Sequence, residues 1–264
     1  MIVSSTGLTK SFPQLGGPPV EILHSIDVSV RDGEFVAIVG PSGSGKSTLL
    51  HCLSGLERPT EGRVEIAGID TARASASALA KLRRATVGFV FQSYNLVQSL
   101  TARQNVALQV RLAKMPAARA SEALTAVGLA HRENAYPAYL SGGEQQRVAI
   151  ARAIAVEPRV LFADEPTGAL DSVTGDAVLA ILRDAVARRA CAVILVTHDL
   201  EAAARADRVL VLRDGSLYRE LIAPTPAQIL EAVEAPLPAA HGAPGVAAAA
   251  GAATAGPDRG AVRP

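Results

Sequence analysis

The stretch GPSGSGKST, Gly40 to Thr48, directly follows the apolar run EFVAIV and leads into STLLHCLSGL. It restricts the fold more than any other part of the chain. The spacing G-x-x-x-x-G-K-[ST] works only if a strand delivers the loop and a helix leaves it, so that consecutive backbone amides face one point. Glycine lets those amides approach an anion with no Cβ in the way. The ligand this predicts is the phosphate chain of a nucleoside triphosphate. Gly40, Pro41, Ser42, Gly43, Ser44, Gly45, Lys46, Ser47 and Thr48 would surround it. Lys46 is expected to reach the β- and γ-phosphates and Ser47 to ligand Mg2+. Kinases, GTPases and motor ATPases share such a loop, so other residues must separate them.

Four short, almost wholly apolar runs end in a polar residue: EFVAIVG, VGFVFQ, RVLFAD and CAVILVTHD. Buried strands of a parallel sheet have this pattern, with functional groups at their carboxyl ends. VEIAGID (Val64–Asp70) and, more weakly, ILHSIDVSV (Ile22–Val30) alternate like antiparallel strands, with turns expected at QLGGPP and RDGE. Between the second and third apolar runs, roughly 93–157, the pattern is helical, clearest in TARQNVALQVRLAK and ARASEALTAVGLA. That length predicts a helical subdomain inserted into an α/β sheet domain. The domain is expected to span 1–222, followed by an extension over 223–264. From Ala235 to Pro264, 22 of 30 residues are Ala, Gly or Pro. Such a composition predicts a disordered tail.

Asp164 ends one apolar run and Glu165 follows it at once. An acid delivered by a buried strand needs a partner, and Mg2+ is the expected one for Asp164. Glu165 is then placed to polarise an attacking water. That favours hydrolysis over transfer to a small acceptor. His198 and Gln92 end neighbouring runs and are expected in the same crevice. His198 would read the γ-phosphate, and Gln92 would touch Mg2+ or the water.

This set resembles the ATP-binding cassette ATPases. The loop Gly40–Thr48, Gln92, LSGGEQQ (Leu140–Gln146), VLFADE (Val160–Glu165), ALD (Ala169–Asp171) and His198 carry the resemblance, over roughly Ile2 to Leu221. LSGGEQQ is its most specific piece. FQSYNLVQSLTARQNVAL and YPAYLSGGEQQRVAIARA are similar to the MacB/LolD/FtsE-like branch, whose ATPase is a chain separate from its permease. The resemblance implies a phosphate-loop NTPase core with a mainly parallel sheet, an antiparallel β subdomain and the inserted helices. It implies that Phe12 stacks on adenine, where the family more often has Tyr. Gln92 would link Mg2+ to the transmembrane partner, Glu165 would be the general base, His198 the switch histidine, and Asp171 would cross a dimer interface. A permease would be contacted near Ser93, Tyr94, Asn95 and Leu96. Export of lipoprotein, macrolide or peptide is the implied task, with an FtsE-like regulatory coupler as the alternative.

Ser141 and Glu144 form S-x-x-E, a capping-box pattern. With Gly142 and Gly143 in the first turn, it predicts a second helix start able to meet an anion. Two chains arranged head to tail could then sandwich two ATP molecules, each between Lys46 of one chain and Ser141, Gly142, Gly143 and Gln145 of the other.

The formal net charge is +1, which gives no broad field for nucleic acid. Cys52 and Cys191 lie far apart and read as two reduced core thiols. No charged start and apolar stretch suggests a secretory leader, and no apolar run approaches the ~20 residues that cross a bilayer. The expectation is a chain in the cytoplasm, peripheral on the inner face of the plasma membrane, with the span supplied by another chain.

Overall fold

The computed structural model describes residues 1–168 and 170–236. The disordered tail expected from about 235 falls almost wholly outside them, as does Ala169 of the ALD motif. In chain order the elements are β1 (Val3–Phe12), β2 (Val20–Val30), β3 (Phe35–Val39), α1 (Lys46–Leu53), β4 (Glu61–Ile66) and β5 (Ile69–Asp70). They continue with α2 (Ala76–Ala85), β6 (Val87–Val90), α3 (Ala102–Leu112), α4 (Ala118–Ala126), α5 (Gly142–Ile154), β7 (Val160–Asp164) and α6 (Ser172–Arg189). The last are β8 (Ala192–Val196), α7 (Leu200–Ala203), β9 (Arg208–Arg213), β10 (Ser216–Ile222) and α8 (Pro226–Glu234).

Two sheets form. A four-stranded antiparallel sheet has the order β2-β1-β4-β5, and a six-stranded sheet the order β10-β9-β3-β8-β7-β6. In the larger sheet only the β9–β10 pair is antiparallel; the other neighbours run parallel. This is the fold class expected from the four apolar runs, which become β3, β6, β7 and β8. VEIAGID does not form one strand. It breaks at Ala67 and Gly68, both at positive φ, into β4 and β5. β1 escapes a sequence reading because VSSTGLTKSF has no apolar run and its buried positions, Val3 and Ser5 and then Leu8 and Lys10, change phase at a register shift between Ser5 and Leu8.

β3, FVAIV, and β8, AVILV, are buried at every position. They can be apolar throughout because helices or the second sheet cover both faces. Side chains alternate across the pleat. Phe35, Ala37 and Val39 therefore join one core with Leu161, Ala163, Val193 and Leu195. Val36 and Ile38 join another with Val160, Phe162, Ile194 and Val196. The first core takes the apolar faces of α3, α4, α5 and α6, the second those of α1 and the antiparallel sheet.

α3, α4 and α5 pack on one another between β6 and β7, the helical insertion expected from the sequence. α8 buries Ile229 and Ala232 in the first core, so the compact unit runs from Met1 to Glu234 and the packed body continues past Ile222. Both cysteines are buried. Burial raises the Cys52 thiol to about 11, which leaves it protonated and inert.

Candidate functional site

Parallel register sets the strand ends side by side. Ile38 of β3 pairs with Val196 of β8, Asp164 of β7 pairs with Val196, and Val90 of β6 pairs with Ala163. Gly40, Thr197–His198, Asp164–Glu165 and Phe91–Gln92 therefore leave the sheet at one level.

The loop after β3 is shaped by contacts that exclude other residues. A Cβ on Gly40 would run into the Leu212 carbonyl oxygen of β9, one strand away. Gly45 has φ 96°, and a Cβ there would lie 2.8 Å from Leu23 Cδ2. α1 starts on Gly45 with no side-chain cap. Its first amides are thus left for a ligand. The Lys46 ammonium folds back across the loop, donating to the Gly40 carbonyl at 3.0 Å and the Pro41 carbonyl at 2.9 Å. Burial lowers the Lys46 pKa from its ordinary value, while Glu165 and Asp164 pull it the other way. Ser44 Oγ is buried in the loop without a partner, an orphan that an incoming acceptor would satisfy.

Acids meet this loop from β7. Ser47 Oγ donates to Asp164 Oδ1 at 3.0 Å. His51 of α1, which the motif reading passed over, brings Nε2 to 3.8 Å from Asp164 Oδ2. Glu165 takes φ 47°, sparsely used by residues with a side chain, while its amide donates to the Val196 carbonyl at 2.9 Å. Its Oε2 lies 2.8 Å from His198 Nδ1. Gln92 is exposed beside the turn that follows Glu165; its Nε2 lies 3.7 Å from where a Gly168 Cβ would stand. Phe12 enters from the antiparallel sheet. It pairs with Val20, and the same β2 strand lays Ile22 and Leu23 against Gly45.

The remaining motif residues form a second cluster around the start of α5. Ser141 Oγ accepts from the Glu144 amide at 3.2 Å, and Glu144 Oε2 accepts from the Ser141 amide at 2.9 Å, the reciprocal box expected from S-x-x-E. Arg132 Nε donates to Glu144 Oε1 at 2.9 Å. The Arg132 hydrogen bond, with that of the Ser141 backbone, holds the Glu144 carboxyl below its ordinary value. Gln145 Nε2 turns back to the Leu140 carbonyl at 3.1 Å. The two glycines do more than leave amides bare. A Cβ on Gly143 would collide with Thr174 Cγ2 of α6, and one on Gly142 would lie 3.1 Å from Tyr94 Oη. Asp171 is exposed and caps α6, accepting from the Thr174 amide at 3.0 Å and its hydroxyl at 2.7 Å. Those bonds hold its carboxyl below the ordinary range.

Arg152, also missed from the motifs, ties the two clusters. It donates to the Asn95 carbonyl at 2.6 Å and the Tyr94 carbonyl at 2.9 Å, in the loop just after Gln92. Tyr94 and Asn95 both sit at positive φ. A cation inside the apolar run AIARAI was the available signal.

Comparison with known proteins finds relatives over most of the chain. The chain matches the ABC transporter family over residues 23–168, more than half its length. It is 46% identical over 233 residues to the pyoverdine export ATP-binding/permease protein PvdT of Pseudomonas entomophila, covering 86% of this chain and 36% of that protein. It is 49% identical over 216 residues to the macrolide export ATP-binding/permease protein MacB of Escherichia coli K12, covering 80% of this chain and 33% of that one. The chain thus spans about a third of the length of these curated relatives. Among solved structures it superposes with a TM-score of 0.79 and 40% identity on a dimeric, post-hydrolysis state of the ATP-binding cassette MJ0796 bound to ADP and Pi, covering 84% of this chain and 99% of that one.

Proposed function

The chain belongs to the ABC transporter family, and on that premise we propose that it binds and hydrolyses ATP to drive a membrane permease. The observation that carries this reading is the convergence of Ser47–Asp164 and Glu165–His198 on the loop that holds Lys46. Lys46 would exchange its two loop carbonyls for phosphate oxygens. Glu165 would accept the proton of the attacking water as the γ-phosphoryl leaves, giving ADP and phosphate. His198, with Nδ1 carrying its proton, would hold that carboxylate and face the γ-phosphate.

Mg2+ fits the donors present. Ser47 Oγ, Asp164 Oδ1 and the Gln92 side chain are hard oxygen groups, the set this ion prefers. When bound with ATP it would supply positive charge that offsets the charge of the phosphates.

The two clusters support a homodimer in which the start of α5 in one copy covers the ATP of the other, through Ser141, Gly142, Gly143 and Gln145. Ser141 Oγ has one lone pair engaged by its own cap but keeps its hydroxyl proton to donate. Asp171, exposed at the start of α6, would lie across that interface. We place the ATPase domain over 1–222 with α8 packed onto it, and the helical subdomain at approximately 93–157.

No described helix is long and apolar enough to cross a membrane. The permease it drives would meet the loop Ser93, Tyr94, Asn95 and Leu96 on the cytoplasmic face of the inner membrane. A groove of about 400 Å³ beside that loop, lined by Leu56, Phe89, Phe91, Asn95, Leu108 and Leu112, has the apolar character such a contact uses. The names of the relatives favour export over purely regulatory coupling as the output.

The test is Glu165→Gln. Hydrolysis should fall by roughly 10²–10⁴-fold, the usual general-base contribution, while ATP binding persists. Light scattering in ATP should then show a trapped dimer. A variant that stays monomeric at saturating ATP would remove the sandwich.

A further inference from the structure

Leu8, Lys10 and Phe12 alternate on β1, so the three should share one face of the antiparallel sheet. Two of the three are conventional core or site residues. Lys10 is neither: it is a cation at 8% exposure on an apolar face, where Leu8 and Leu23, the residue that pairs with Lys10 on β2, are both fully buried. A buried ammonium persists only if its three N–H groups are engaged. Lys10 Nζ reaches Glu57 Oε1 at 2.6 Å and the Arg58 carbonyl at 2.9 Å. Its third direction is covered by the ring of Phe12, whose centroid lies 4.7 Å away.

We propose that Lys10 is a positioning residue for the base of the nucleotide. It closes one face of the Phe12 ring and leaves the other for a purine. This rests on the ATP-binding reading and on Phe12 as the stacking ring. Two features give Lys10 more than a local role. First, Phe12 is 39% exposed at the end of its strand, and among the described residues no other ring or cation stacks on it. A ring loose at χ1 presents either face or an edge; a cation over one face fixes which surface remains. Second, the anchor of Lys10 is attached to the phosphate side. The Glu57 amide donates to the His51 carbonyl at 3.1 Å, within the helix that begins at Lys46. The Lys10–Glu57 pair therefore joins the base platform on β1 to the helix that carries the phosphate loop. It sets the distance between the two ends of the ligand.

The experiment titrates the full chain, with Mg2+, against ATP and against inorganic tripolyphosphate, which has the phosphates and no base. In the unaltered chain both should bind; failure there would sink the nucleotide reading itself. Lys10→Met keeps length and apolar stem and removes the charge. ATP affinity should fall roughly 3- to 30-fold, the range of a desolvated cation–π contact. Tripolyphosphate affinity should stay within about twofold, as for distant independent sites. In a Phe12→Ala background, Lys10→Met should change ATP affinity no further. Should Lys10→Met fail to fold, Glu57→Gln releases the ammonium without deleting it, and the same loss confined to ATP is expected. Equal weakening of both ligands would reduce Lys10 to a structural residue. An unchanged ATP affinity in the variant that folds would overturn the proposal outright.

Discussion

Two helices of this chain begin at the candidate anion sites, and their starts are built in opposite ways. α1 opens on Gly45 with no cap, and its first lysine has only carbonyls of its own loop to hold. α5 opens on Ser141 with a closed capping box, and its Glu144 is held by Arg132 as well. The first start is unfinished without a ligand; the second is complete before any partner arrives. This difference teaches how the work is divided. A group that binds phosphate first gains from open donors. A surface that must recognise a site formed on another copy gains from rigidity, because ordering on contact costs affinity.

The comparison breaks most visibly at α1. Lys46→Ala should take ATP below detection in a nucleotide-displacement assay, a loss of roughly 10²-fold or more for a charge-assisted contact. Retained binding would show that the open start is not where the phosphates go. At α5 the damage should appear only in pairs. Ser141→Arg alone and Lys46→Ala alone should both fail to dimerise in ATP. Mixed together, they can form one site intact on both sides, and pairing seen only in the mixture would place α5 opposite the other copy's nucleotide. Pairing absent from the mixture would count against that arrangement.

Smaller effects sharpen the contrast. Gly143→Ala must displace Thr174, so overpacking should lower stability by ~1–3 kcal/mol in a denaturant melt. Glu144→Gln should cost about 1 kcal/mol at neutral pH, the worth of a cap. Its pH dependence has a fixed sign. The folded carboxyl titrates below its unfolded value, so its contribution is present above the unfolded pKa and lost as pH falls through the folded one. Melting curves of the two proteins should therefore converge in acid and diverge towards neutral pH.

Legibility in the sequence followed the same division. Strand-end residues were readable because a parallel sheet writes itself as apolar runs ending in a polar group. Ser141 and Glu144 were readable because a capping box has fixed spacing. β1 was not, since its inward positions include Ser5 and Lys10 and so break the alternation that betrays a strand. His51 and Arg152 were not, because each acts on a segment far away in the chain: Asp164 in one case, Tyr94 and Asn95 in the other. Gly142 and Gly143 were read for their amides, while their lack of a Cβ is also what admits Tyr94 and Thr174. Only the folded contact reveals that second use.

The alternation of β7 between the two cores has one more consequence. Leu161 and Ala163 face the helices that carry the start of α5; Val160 and Phe162 face α1 and the antiparallel sheet. Adjacent residues of a single strand thus report to different machinery. Trimming Phe162 should loosen the grip on nucleotide, while trimming its neighbour Leu161 should disturb the pairing of copies. The strand behaves as a partition wall, and a walk along it one residue at a time would alternate between two phenotypes.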